Sequence, residues 1–106
     1  MSPGNIASAC NTIALNYGNR KEYDKALKYS EMSIRAVPHQ ILGNWIYAYT
    51  LLLLQRHEEA RPIFVNLLNI TNAGSFTSDA GYDVHIGQDK IKDAIKMTYK
   101  NGQKVV

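Results

Sequence analysis

Three histidines and a group of aspartates are the side chains of this chain that could hold a metal ion. The histidines, His39, His57 and His85, have no cysteine or second histidine at the spacing of a zinc site. Asp79, Asp83 and Asp89 lie around His85, but their spacing does not match that of a calcium-binding loop. Ordinary loop polarity explains this group better than a loosely bound cation does, so we expect no metal and no cofactor.

The candidate nucleophiles and acid–base pairs point away from catalysis. Cys10 is the only cysteine, and such a residue is more often a small buried hydrophobe than a thiolate beside a base. The serines lack the strand–turn–helix pattern that exposes a nucleophilic serine. Glu58 and Glu59 are adjacent and would point in different directions on a helix, so we expect them to favour a helix N-terminus. We therefore predict that the chain is not an enzyme.

The elements that carry these residues are predicted to be helices. Apolar residues recur at steps of three and four, which form one helical face, over residues 6–17, 23–37, 42–54, 58–69 and 89–101. Glycine, serine, asparagine and aspartate dominate residues 73–88, which predicts a loop. The expected fold class is all-α, in a single domain of 106 residues.

Glycine and proline indicate where the helices stop or bend. Gly18 and Asn19 tolerate the left-handed conformation, so we expect them to end the first helix. Pro38 disfavours helix at the preceding residue and should end the second helix at Val37. Pro62 removes one backbone donor, which predicts a late or bent start to the fourth helix.

The chain also contains an internal repeat. Ala26 and Ala60 are 34 residues apart, and each follows charged residues near the start of a predicted helix. The same offset aligns Ala14 with Ala48 in the preceding helices. Each unit is therefore a pair of amphipathic helices.

These units resemble the tetratricopeptide repeat family. The residues that carry the resemblance are Tyr17, Ala26 and Pro38 in the first unit and Ala48, Ala60 and Phe64 in the second. The second unit departs from the pattern at His57, where the family prefers tyrosine, and at Asn72, where it prefers proline. The resemblance implies antiparallel helix–turn–helix repeats over residues 5–38 and 39–72. Residues 89–102 would then form a capping helix or a partial third repeat after the loop.

The resemblance further implies a concave groove lined by the first helix of each unit, which binds a peptide or protein partner. The residues expected to line it are Asn11, Leu15, Leu42, Trp45, Tyr49 and Leu52. Trp45 and Tyr49 lie one helical turn apart, and such aromatic residues are typical of binding hot spots. Two arrangements stay open: this aromatic face is a free binding surface, or the last helix or the loop covers it.

The positive charge suggests a second class of function, a regulatory or nucleic-acid-associated domain that uses the basic C-terminal helix. The net charge is +3, and Lys92, Lys96 and Lys100 form one face of the last helix. Phosphates or acidic proteins would be attracted to that face, but arginines and stacking aromatics are not interleaved with the lysines. We expect a solvated lysine face rather than a nucleic-acid site. A third alternative is a homodimer formed through the apolar surface.

The apolar run Leu51–Leu54 is far shorter than the roughly 20 residues of a membrane span. We therefore expect a soluble, cytoplasmic domain without a membrane span.

Overall fold

The computed structural model describes residues 2–70 and 86–100, apart from the side chain of Lys100, and these residues form five helices and no strand. The helices are α1 (Pro3–Asn19), α2 (Tyr23–Ala36), α3 (Ile41–Leu53), α4 (His57–Ile70) and α5 (Gln88–Lys100). The all-helical prediction is confirmed for this part of the chain, and the predicted helix bounds lie close to the observed ones. Most of the predicted loop 73–88 lies outside the described residues.

Helices α1 and α3 each begin with a side-chain cap. The hydroxyl of Ser2 accepts a hydrogen bond from the backbone N–H of Asn5 at 3.2 Å, and Pro3 occupies the first turn, where no backbone donor is needed. The side-chain carbonyl of Gln40 accepts the N–H of Gly43 at 2.7 Å. The same Gln40 oxygen accepts a hydrogen bond from the Asn11 amide, so the start of α3 is tied to the middle of α1.

The end of α1 differs from the prediction. The helix continues through Gly18 and Asn19, and the left-handed residue is Lys21, with φ of 61°. The N–H of Lys21 bonds to the carbonyl of Gly18, and the N–H of Glu22 reaches back to Tyr17 at 2.9 Å. This pair of bonds is the Schellman motif, which satisfies two of the last carbonyls of the helix.

The end of α3 has the same geometry, 34 residues later along the chain. Gln55 adopts φ of 66°, its N–H bonds to the carbonyl of Leu52, and the N–H of Arg56 bonds to Leu51 at 2.8 Å. The two helix hairpins, α1–α2 and α3–α4, therefore turn through equivalent backbone hydrogen bonds.

Pro38 and Pro62 act differently. Helix α2 ends at Ala36 and Val37 is extended, as Pro38 predicts. Helix α4 starts at His57 with Pro62 inside it, so the predicted delay of its start is wrong. A proline in the second turn costs one backbone hydrogen bond, while the acidic first turn and the burial of Ala60 and Phe64 favour the helix.

The helices pack in chain order. Each helix contacts the next one, and in addition α1 contacts α3 and α3 contacts α5. Alanines allow the close approach, since Ala14, Ala26, Ala48 and Ala60 have no exposed surface. The large side chains of the core come from α3, α4 and α5 and from Ile86 just before α5: Leu42, Leu51, Phe64, Leu67, Ile86 and Ile91.

Candidate functional site

A stacked pair of aromatic rings forms a ridge on α3. The rings of Trp45 and Tyr49 have centroids 5.4 Å apart and lie within 23° of parallel, because four-residue spacing brings the side chains to one face. Phe64 of α4 supports the indole from beneath with an edge-to-face contact at 5.4 Å. The Trp45 half of the ridge is therefore packed against the core, whereas Tyr49 is partly exposed.

A groove of about 220 Å³ runs along one side of this ridge, between α1 and α3. Its walls are aliphatic, aromatic and uncharged polar residues: Ala14, Leu15, Gly18, Asn19, Tyr23, Trp45, Ile46, Tyr49, Thr50 and Leu53. Leu53 and Asn19 are exposed, whereas Ala14 and Ile46 are buried and form part of the floor. The floor of this α1–α3 groove is therefore largely apolar.

A second groove lies on the other side of the ridge, between α3 and α5. It has a volume of about 320 Å³ and is lined by Trp45 and Tyr49 together with Lys90, Asp93, Ala94 and Met97. The ammonium of Lys90 lies 5.5 Å from the centroid of the indole ring, within the range of a cation–π interaction. The two grooves thus share Trp45 and Tyr49 as their common wall.

The six residues predicted to bind a partner do not lie on one surface. Leu42 and Leu52 are only 2 % and 3 % exposed and belong to the core. They cannot contact a partner, because α3 is apolar on nearly all sides and is packed against α1, α2, α4 and α5. Asn11 is also buried, at the α1–α3 contact, where it donates to Gln40.

The other three predicted residues do line the grooves. Leu15 and Tyr49 are partly exposed, whereas Trp45 is 7 % exposed. Of the two arrangements considered above, the described residues favour partial covering, since α5 lies beside Trp45 but leaves Tyr49 accessible.

The grooves are also lined by Tyr23, Leu53, Lys90 and Met97, which were not among the residues predicted from the sequence. The sequence could have indicated Leu53, because it follows Tyr49 by one turn on an apolar helix and so lies on the same face. The α5 residues carried no such indication, because the position of that helix depends on how it packs against α4.

The basic face of α5 is solvated where the structure describes it. Lys92 and Lys96 are exposed, and the side chain of Lys100 lies outside the described residues. Asp89 and Asp93 on the same helix are exposed as well, which dilutes the positive charge.

The residues considered for chemistry take structural positions. Cys10 is buried, and His57 is buried with its Nε2 3.2 Å from the side-chain oxygen of Gln55. Arg56 donates two hydrogen bonds to Glu59, at 2.7 and 2.8 Å, and these bonds lower the pKa of the Glu59 carboxyl. Glu58 points largely into solvent.

Asp79, Asp83 and His85 lie outside the described residues, and Asp89 is exposed. Within residues 2–70 and 86–100, no three histidine, cysteine or acidic side chains come together as a possible metal site. None of the helices in this part of the chain combines the length and apolarity needed to cross a membrane.

No family model matches the chain, and no curated protein and no solved structure is detectably similar to it.

Proposed function

We propose that this chain is a tetratricopeptide-type helical repeat domain that binds a peptide or protein partner at the Trp45–Tyr49 ridge. The proposal rests on the ridge itself, a pair of stacked aromatic rings that lies between two open grooves. Rigid aromatic anchors flanked by concave apolar surface are typical of binding hot spots.

The repeat assignment rests on equivalences along the chain. Lys21 and Gln55 adopt the same left-handed conformation at the ends of α1 and α3, and Ala26 and Ala60 are both fully buried near the starts of α2 and α4. The contacts of α1 with α3 and of α3 with α5 support a side-by-side arrangement of first helices, with α5 as the first helix of a shortened third unit. In this arrangement the first helices form the partner-binding face.

The test is a selection of peptides on the full chain. Random 12-residue peptides displayed on phage are enriched on the wild-type protein, and the selected peptides are synthesised and titrated. We expect Tyr49→Ala to weaken their binding at least tenfold, because Tyr49 is the accessible half of the ridge. Met32→Ala is the matched control, since Met32 is exposed on α2 and lines neither groove.

Three results would contradict the proposal. One is the absence of any enriched peptide. Another is binding that is insensitive to Tyr49→Ala but falls steeply with salt and is lost in the Lys92→Ala, Lys96→Ala double variant; it would favour a function of the basic face of α5 instead. The third is a mass that doubles with concentration, together with loss of peptide binding in the dimer, which would favour self-association.

A further inference from the structure

Helices α1 and α3, which supply every lining residue of the α1–α3 groove except Tyr23, carry no charged residue. Helix α1 has 17 residues and α3 has 13, and neither contains aspartate, glutamate, lysine, arginine or histidine. The other three helices each carry several charged side chains. The absence of charge is therefore a property of this groove and not of the domain.

The charged residues at the α1–α2 turn and on α5 do not line the α1–α3 groove. At the α1–α2 turn, Glu22 contacts Arg20 at 3.1 Å and Lys25 at 3.2 Å. Lys90 and Asp93 line the α3–α5 groove, on the other side of Trp45 and Tyr49. Within the described residues that line the α1–α3 groove, no ionised group is available to a ligand.

The polar groups of the groove suit a peptide backbone. The hydroxyl of Thr50 donates to the carbonyl of Ile46 at 2.6 Å, which leaves it as an acceptor. Asn19, Tyr23 and Tyr49 add an amide and two hydroxyls at the partly exposed edge. Such neutral groups can hydrogen-bond backbone N–H and C=O groups of an extended segment.

The size of the groove also favours side chains over a whole cofactor. Its volume of about 220 Å³ is below the roughly 300–1,000 Å³ that is typical of small-molecule pockets. A few aliphatic or aromatic side chains of a longer peptide would fill it.

We infer that the α1–α3 groove selects an uncharged, apolar peptide segment and rejects segments with a charged residue at the positions that enter it. This inference rests on the proposed peptide-binding function and names the class of partner. An ionised side chain would leave water without finding a counter-charge, whereas leucine or phenylalanine would gain from burial against Leu15, Leu53 and the ridge. Selectivity therefore arises from the cost of desolvating a charged competitor as much as from the contacts made by an apolar segment.

The experiment compares the peptides selected by four forms of the full chain: wild type, Leu53→Lys, Leu53→Glu and Met32→Lys. Met32 is the matched control for Leu53, because the two residues are 41 % and 38 % exposed and only Leu53 lines the groove. Their exposure also allows the substituted side chains to reach water, and circular dichroism checks that each variant is folded. The probe is the same 12-residue phage library.

We expect the wild-type peptides to share an apolar core depleted in aspartate, glutamate, lysine and arginine at least fivefold relative to the library. Their affinities should change less than threefold between 50 and 500 mM NaCl. Leu53→Lys should enrich acidic residues in the core of the selected peptides, Leu53→Glu should enrich basic ones, and Met32→Lys should select the wild-type motif.

The possible failures are distinguishable. Suppose that the peptides selected by the wild-type protein carry a charged residue in their shared core, and that Tyr49→Ala still abolishes their binding. This result would overturn the inference and leave the binding function intact. Unchanged motifs in both Leu53 variants would overturn it in the same way. If no form of the protein enriched any peptide, the proposed function and the inference would both fall.

Discussion

The guanidinium of Arg61 on α4 holds the last turn of α5 through Thr98. Its Nε donates to the Thr98 hydroxyl at 3.0 Å and its Nη2 donates to the Thr98 carbonyl at 3.1 Å. The same guanidinium lies 3.9 Å from the centroid of the Tyr99 ring. Since α5 forms one wall of the α3–α5 groove, this contact helps to determine whether the groove exists.

We therefore expect Arg61→Ala to lower the free energy of unfolding by about 1.5–3 kcal/mol, the range for hydrogen bonds to a charged group. Arg61→Lys should recover only part of the loss, because an ammonium cannot make both bonds and stack on the ring. Urea unfolding measures the loss, and acrylamide quenching of Trp45, the only tryptophan, reports whether α5 has detached. Arg35→Ala, on an exposed residue of α2, is the control. If Arg61→Ala has the same stability and the same acrylamide quenching as wild type, the contact between Arg61 and the last turn of α5 contributes nothing.

The two residues of the ridge should respond differently to truncation. Trp45 is buried against Phe64, so Trp45→Ala should cost about 3–5 kcal/mol of stability, as for other buried aromatic residues. Tyr49 is partly exposed, and Tyr49→Ala should cost less than half as much. Thermal or urea unfolding of the two variants tests this order. Equal losses would mean that Tyr49 is as much a core residue as Trp45 and would make it unsuitable for the binding test.

The left-handed conformation of Lys21 predicts a stabilising substitution. A non-glycine residue at positive φ costs about 1–2 kcal/mol, and glycine avoids this cost but loses more backbone entropy. Lys21→Gly should therefore raise the free energy of unfolding by up to about 1 kcal/mol. Lys28→Gly, at an exposed site inside α2, should lower it by about 1 kcal/mol. If both glycines destabilise to the same extent, the turn does not require a left-handed residue.

The Arg56–Glu59 pair predicts a pH-dependent contribution to stability. Because the pair lowers the pKa of Glu59 below its ordinary value of 4.5, the folded state favours the ionised carboxylate. The contribution is complete above that ordinary value and is lost as the pH falls through the lowered pKa of the folded state. Glu59→Gln should therefore unfold at a lower temperature than wild type at pH 7, and the difference should shrink towards zero in acid. Glu58→Gln, whose carboxyl is 87 % exposed, is the control, and a difference that stays constant with pH would contradict this prediction.

Much of the helical architecture follows from local sequence. The three- and four-residue spacing of apolar residues predicts all five helices of the described residues, and Pro38 predicts where the second helix ends. The alignment of Ala26 with Ala60 predicts the equivalence of the two hairpins. Such features depend on backbone conformation and on neighbours within one or two helical turns, and this local information is present in the amino-acid sequence. The predicted end of α1 at Gly18 and Asn19 was wrong. Glycine permits the left-handed conformation without requiring it, and the chain turns at Lys21, where the motif can bond back to Tyr17 and Gly18.

The grooves depend on contacts between residues distant in sequence. Leu42, Leu52 and Leu53 are chemically alike and lie on one helix, yet only Leu53 lines a groove, because the positions of α1, α4 and α5 around α3 decide which side is covered. The proximity of Lys90 to Trp45 likewise depends on the packing of α5 against α4. The sequence by itself determined that α1 and α3 are uncharged and that Trp45 and Tyr49 share a face. Only the tertiary structure decided which of these residues a partner can reach, because burial is a property of the packed helices together and not of any one of them.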